Sequence, residues 1–144
     1  MNKWLLSAAL LAAASFAAPA QASCSFQLSP IALGSYEPLS YAPPPVLVSV
    51  GVLCTQSSDI TVSVGKGYSM DYTERTLRMG ANTVRYNLFV GTNDLSVWGD
   101  GTATISASVP EGEIIQLIGN ARIYPGQSPL PGYYSDTLIF TISF

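Results

Sequence analysis

Few residues in this chain have types and spacing suited to chemistry. Nucleophilic catalysis by serine or threonine needs a base to take the hydroxyl proton, usually histidine, and the sequence contains no histidine. Asp94, Asp100 and Glu111 are the acids that could pair as carboxylates or hold calcium. Each sits beside glycine or asparagine, where acids bond the local backbone in turns. Cys24 and Cys54 are the two cysteines, too few for a thiolate metal site without histidine and without the C-x-x-C spacing of a redox pair. Trp98, beside Gly99-Asp100-Gly101, reads as a packing plug, with a sugar-stacking platform as the alternative. The chain is therefore read as non-enzymatic, with no metal and no cofactor.

The elements that position these residues begin with a leader. Asn2-Lys3 is a positive start, Trp4 to Ala18 an apolar run of small residues, and Ala20-Gln21-Ala22 a cleavage signature, so residues 1–22 read as a signal peptide and 23–144 as one domain. Removing Lys3 with the leader moves the formal charge from -3 to -4. The basic residues left (Lys66, Arg75, Arg78, Arg85, Arg122) form no cluster, which excludes nucleic acid as the natural partner. With 48% hydrophobic and 10% charged residues, the domain is apolar for one meant to stay soluble alone, which points to surface covered by other protein. Two cysteines in an exported chain read as one disulfide, Cys24 to Cys54.

Strand periodicity dominates the rest. Val46, Val48, Val50, Val52 and Cys54 share one face of a strand; so do Ile60, Val62 and Val64; so do Val84, Tyr86, Leu88 and Val90; and so do Ile115, Leu117, Ala121 and Ile123. A first strand with a bend is expected over residues 25–33, further strands over 76–83 and 102–109, and a proline-rich surface loop over 35–45. The end of the chain, Gly132 to Phe144, alternates to its last residue: Leu138, Phe140, Ile142 and Phe144 face one way, Thr137, Thr141 and Ser143 the other. Such an edge is normally paired or blunted by a charge, a proline or another strand, and the sequence supplies none of these. Short strands with Gly and Pro turns, and no sustained helical period, give an all-β sandwich.

Several short pieces, in order, resemble the spore coat U domain family, which includes pilins of archaic chaperone-usher fimbriae. They are Cys24 followed by Gly34-Ser-Tyr36, Gly65-Lys-Gly-Tyr68 leading to Arg75-Thr-Leu77, Val84-Arg-Tyr-Asn-Leu-Phe89, Val97-Trp-Gly-Asp-Gly101, and Gly126-Gln127 before Gly132-Tyr-Tyr-Ser-Asp136. Gly119-Asn-Ala-Arg122 departs from the more compact Gly-Arg of that family.

The resemblance implies an incomplete immunoglobulin-like sandwich lacking its final strand, completed by donor-strand complementation. A periplasmic chaperone, then a neighbouring pilin subunit assembled at an outer-membrane usher, would supply the strand. Phe26, Leu28, Leu138, Phe140, Ile142 and Phe144 are expected to line the acceptor groove and the chaperone contact. A cleaved leader leaves Ser23 alone ahead of Cys24, too short a segment to donate, so a tip or capping subunit is expected, mediating attachment to a host or abiotic surface or biofilm formation. Tyr36, Leu39, Tyr41, Tyr124 and Leu130 are its candidate adhesive loop residues. The alternative is a self-sufficient secreted coat or carbohydrate-binding module outside any pilus.

Overall fold

The structure is a computed structural model that describes residues 21–39 and 44–144. Residues 1–20 of the expected leader, and Tyr41 among the candidate adhesive residues, lie outside the described residues.

Among the described residues eight strands make two layers. β1 (Cys24–Leu28), β2 (Val46–Cys54), β7 (Ile114–Ile123), β5 (Asn82–Val90) and β4 (Arg75–Met79) form one antiparallel sheet in the order β1-β2-β7-β5-β4. β6 (Ile105–Val109), β3 (Ser58–Val64) and β8 (Phe140–Ser143) form the other, in the order β6-β3-β8. The β-branched faces named from the sequence meet between the layers: Val48, Val50, Val52, Ile60, Val62, Val64, Leu88 and Ala121 are all buried. The architecture is an all-β, immunoglobulin-like sandwich that, among the described residues, lacks its last strand.

Four boundaries differ from expectation, the strand expected over 102–109 being only the five residues of β6. The strand expected over 76–83 is instead a hairpin over residues 75–90, β4 to β5: Met79 faces Asn82, and Gly80, at φ 60, takes the first position of the two-residue loop, where a positive φ matches the twist of the flanking strands. β1 ends at Leu28, ahead of Pro30, which has no N–H to give a ladder. The terminal strand is the four residues of β8 and not the whole run from Gly132. Before it, Ser135 exchanges backbone hydrogen bonds with Arg78 of β4, so residues 135–139 cross from one sheet to the other and cannot remain in either ladder.

The cysteines form the expected disulfide. Cys24 and Cys54 face each other in the β1–β2 register with Cα atoms 4.1 Å apart, which fastens the edge strand β1 to its neighbour β2.

Candidate functional site

The groove follows from strands left uncovered on their inner side. Phe26 and Leu28 pair with Val52 and Val50, both fully buried, so all four side chains point between the layers. Yet Phe26 is 50% exposed. On the opposite wall, Leu138, Phe140 and Ile142 are only partly buried against the core, and Phe144 is 61% exposed. Between these walls lies an open cavity of about 990 Å³. One wall runs from Leu28 through Ile31 and Leu33 to Tyr36, the other holds Leu138 and Phe140, and Leu77, Val84, Tyr86 and Ile123 form the floor. Phe26, Ile142 and Phe144 do not line this cavity; Phe26 and Ile142 pair with the buried Val52 and Val62 and so share the inner side, and Phe144 follows the end of β8.

The rim offers backbone as well as apolar surface. Gly65 N donates to Ile139 O at 2.8 Å, and Thr141 and Ser143 face Ser63 and Thr61. Because ladder bonds alternate in direction along an antiparallel strand, odd-numbered residues turn their N–H and C=O toward β3, and Phe140 and Ile142 turn theirs to the open edge. Among the described residues no strand pairs with that edge. An alternating strand laid here would find hydrogen-bond partners on β8 and apolar walls on both sides.

The candidate loop residues are not alike. Leu39 is 95% exposed, and Leu130, 59% exposed, stands at the cavity rim. Tyr36 corrects the expectation of a free loop aromatic: its ring packs against the core, and its hydroxyl donates to Gln127 O (3.2 Å) and accepts from Gln127 N (2.8 Å). Tyr124 is half-buried, its N–H donating to Arg85 O and its carbonyl accepting Gln127 Nε2. Gln127 holds both loops because its amide imitates a strand neighbour, accepting from Arg85 N at 2.6 Å and donating to Arg85 O at 2.9 Å.

Trp98 is a plug. It is fully buried, its Nε1 donates to Val62 O at 2.9 Å, and Phe140 meets it edge to face with ring centroids 5.5 Å apart, which leaves no open ring face for a sugar. Gly119 makes room for it, since a Cβ there would stand 2.6 Å from the indole. The segment Gly119-Asn-Ala-Arg122 belongs to β7: Asn120 Nδ2 donates to the carbonyls of Gly91 and Asn93, and Arg122 pairs with Asp94. Among the described residues no cluster of three metal-ligating side chains occurs.

A polar network under the groove went unread in the sequence. Arg75 is fully buried, and among the described residues its guanidinium donates to neutral acceptors: Gly65 O (3.0 and 2.8 Å), Val64 O (3.2 Å), Trp98 O (2.7 Å) and Asn87 Oδ1 (2.7 Å). Burial pushes its pKa below the usual arginine value. Asp136 Oδ2 accepts from Tyr86 OH at 2.6 Å, while Oδ1 accepts from Tyr68 N at 2.9 Å and Thr137 N at 2.8 Å. The signal was available: four of the five motif pieces supply members, Gly65, Tyr68 and Arg75 from one, Tyr86 and Asn87 from the next, then Trp98, then Asp136.

Burial, and then the bond to Asp136, raise the Tyr86 pKa well above its ordinary 10.0. A raised folded-state pKa contributes stability that is complete below the unfolded value and is lost as pH climbs from that value toward the folded one. Above about pH 10 the domain should lose up to about 1.4 kcal/mol per pH unit through this group. Denaturant midpoints measured across that range should fall less steeply in Tyr86→Phe; equal slopes would contradict the assignment.

The Spore Coat Protein U domain profile matches residues 8–141. The chain belongs to that family. The match begins inside the stretch read as a leader and ends within β8. A solved structure similar to this member of the family is the CsuC-CsuE chaperone-tip adhesion subunit pre-assembly complex from archaic chaperone-usher Csu pili of Acinetobacter baumannii, with a TM-score of 0.63 and 20% identity over 86% of this chain. The chain spans 40% of the length of that matched chain, and at this identity the likeness supports the fold. No curated protein matches the chain.

Proposed function

We propose that this spore coat U domain is a structural, non-catalytic subunit of a chaperone-usher fimbria, exported through the periplasm to the cell surface, whose groove takes a strand from a partner. The observation that carries the reading is the pairing of inward-facing but uncovered side chains on β1 and β8 with a free β8 edge. Leaving four or five large apolar side chains uncovered forfeits about 1.5–3 kcal/mol each, a sum comparable to the stability of a small domain. Family membership and a fold shared with a chain of a chaperone–subunit complex support a periplasmic chaperone as first donor and a neighbouring subunit, delivered at the usher, as second.

The finer reading is a tip or capping subunit that accepts and does not donate. It rests on cleavage after Ala22, which would leave Ser23 ahead of Cys24. Leu39 and Leu130, with Tyr41, are the loop residues offered for attachment to a surface.

A synthetic peptide of about ten alternating valine and threonine residues should bind the purified domain by strand addition. At a hundred times its dissociation constant it should add about 2.7 kcal/mol and raise Tm by on the order of 10 °C. Phe140→Asp, which puts a charge on the groove wall, should remove the shift. A domain equally stable with and without peptide would favour the self-sufficient secreted module instead.

A further inference from the structure

β8 meets β3 through four residue pairs, Phe140 to Val64 through Ser143 to Thr61. The ladder is a poor ruler, because Phe140-Thr-Ile-Ser-Phe144 repeats an apolar, hydroxyl pattern. A one-residue slip would turn the wrong face inward, whereas a two-residue slip keeps both faces and exchanges Phe140 for Ile142 and Thr141 for Ser143. Positional information must come from outside the ladder.

Asp136 supplies it. The segment joins the other sheet at Ser135, where it exchanges backbone bonds with Arg78, and joins β3 at Ile139 through Gly65 N. Between these points the Asp136 carboxylate is held by Tyr86 OH from the floor of the groove and by the N–H of Tyr68 in the 3-10 turn Gly67–Ser69. The turn closes onto the carboxylate so tightly that a Cβ on Gly67, at φ +67, would stand 2.1 Å from Oδ2. Arg78 secures the turn in its place by donating to Tyr68 O at 2.7 Å. Two elements, β5 and the turn, thus converge on one side chain two residues before Leu138, and β4 braces the turn.

We propose that Asp136 is a positioning residue that sets the register of β8 on β3, and so determines which side chains and which backbone groups the open edge presents. The meaning of that edge rests on the strand-accepting reading; the register itself does not.

Two cysteine pairs read the register in the full domain. Ser63→Cys with Thr141→Cys bridges in the observed register, in which these residues face each other, and Ser63→Cys with Ser143→Cys bridges only after a two-residue slip. With Asp136 present, the first pair should oxidise and the second should not. Adding Asp136→Ala should lower bridging of the first pair at least threefold and raise the second correspondingly. Asp136→Asn, which keeps an oxygen for Tyr68 N and Thr137 N, should restore the first. If Asp136→Ala gives no folded protein, Tyr86→Phe decides, since it removes only the Oδ2 bond and should raise slipped bridging measurably above the parent. Unchanged bridging in the folded variant overturns the proposal. The alternating valine–threonine peptide should associate with Asp136→Ala at least tenfold more slowly than with the parent. A parent that takes up no peptide defeats the accepting groove and leaves the register to be judged by bridging alone.

Discussion

Replacing Arg75 by methionine should cost more than about 4 kcal/mol and sharply reduce the yield of folded domain. Methionine fills comparable space but donates nothing, leaving the carbonyls of Val64, Gly65 and Trp98 and the Asn87 side chain without the bonds that Arg75 makes to them. Each buried acceptor stripped of its partner costs about 1–3 kcal/mol, and several together approach the whole stability of a small domain. The fork also explains why arginine is needed: its donors reach acceptors on β3, β5 and the Trp98 segment at once. A lysine ammonium has fewer donors and a single centre, so Arg75→Lys should recover only part of the loss. Denaturant unfolding measured with saturating donor peptide gives the comparison on a common scale. A methionine variant within about 1 kcal/mol of the parent would mean the network is dispensable.

The sequence revealed the layers better than the joints. Valines at alternate positions of β2 and β3 identified the buried face because a two-residue period fits a half-buried strand and no helix, and Leu138, Phe140 and Ile142 showed the same pattern on a wall that remains half open. Arg75 was hidden because a lone cation in a polar stretch normally reads as solvated; its cage is assembled from acceptors 10 to 23 residues away. Tyr36 was misjudged for a related reason. Its proline-rich surroundings indicate a surface loop, but its hydroxyl partner lies 91 residues away at Gln127, and only the fold brings them together. The terminal run looked like one strand because Leu138, Phe140, Ile142 and Phe144 alternate with Thr141 and Ser143 up to the last residue, although the backbone over residues 135–139 is moving between sheets.

Cys54→Ser, paired with Cys24→Ser to leave no free thiol, should lower stability by about 2–5 kcal/mol, and should damage strand acceptance more than that loss alone predicts. The general effect comes from freeing a loop with a sequence separation of 30, for which the chain-entropy model gives roughly 3.5 kcal/mol. The specific effect comes from where the bond sits. β1 is an edge strand with no fully buried residue, held by one ladder to β2, by the disulfide, and by the contact of Ser23 with Thr55. Once the disulfide is gone, β1 should open before the core does, because little buried apolar area opposes its release. Leu28 and the residues after it form one wall of the cavity, so an opened β1 leaves a donor strand with a single wall to bind. Hydrogen exchange should therefore show the amides of residues 24–28 losing protection while β2 and β7 keep theirs, and affinity for the alternating peptide should fall more than tenfold. If β1 stays as protected as β2 in the variant, the disulfide acts on the chain as a whole, and the groove wall does not depend on it.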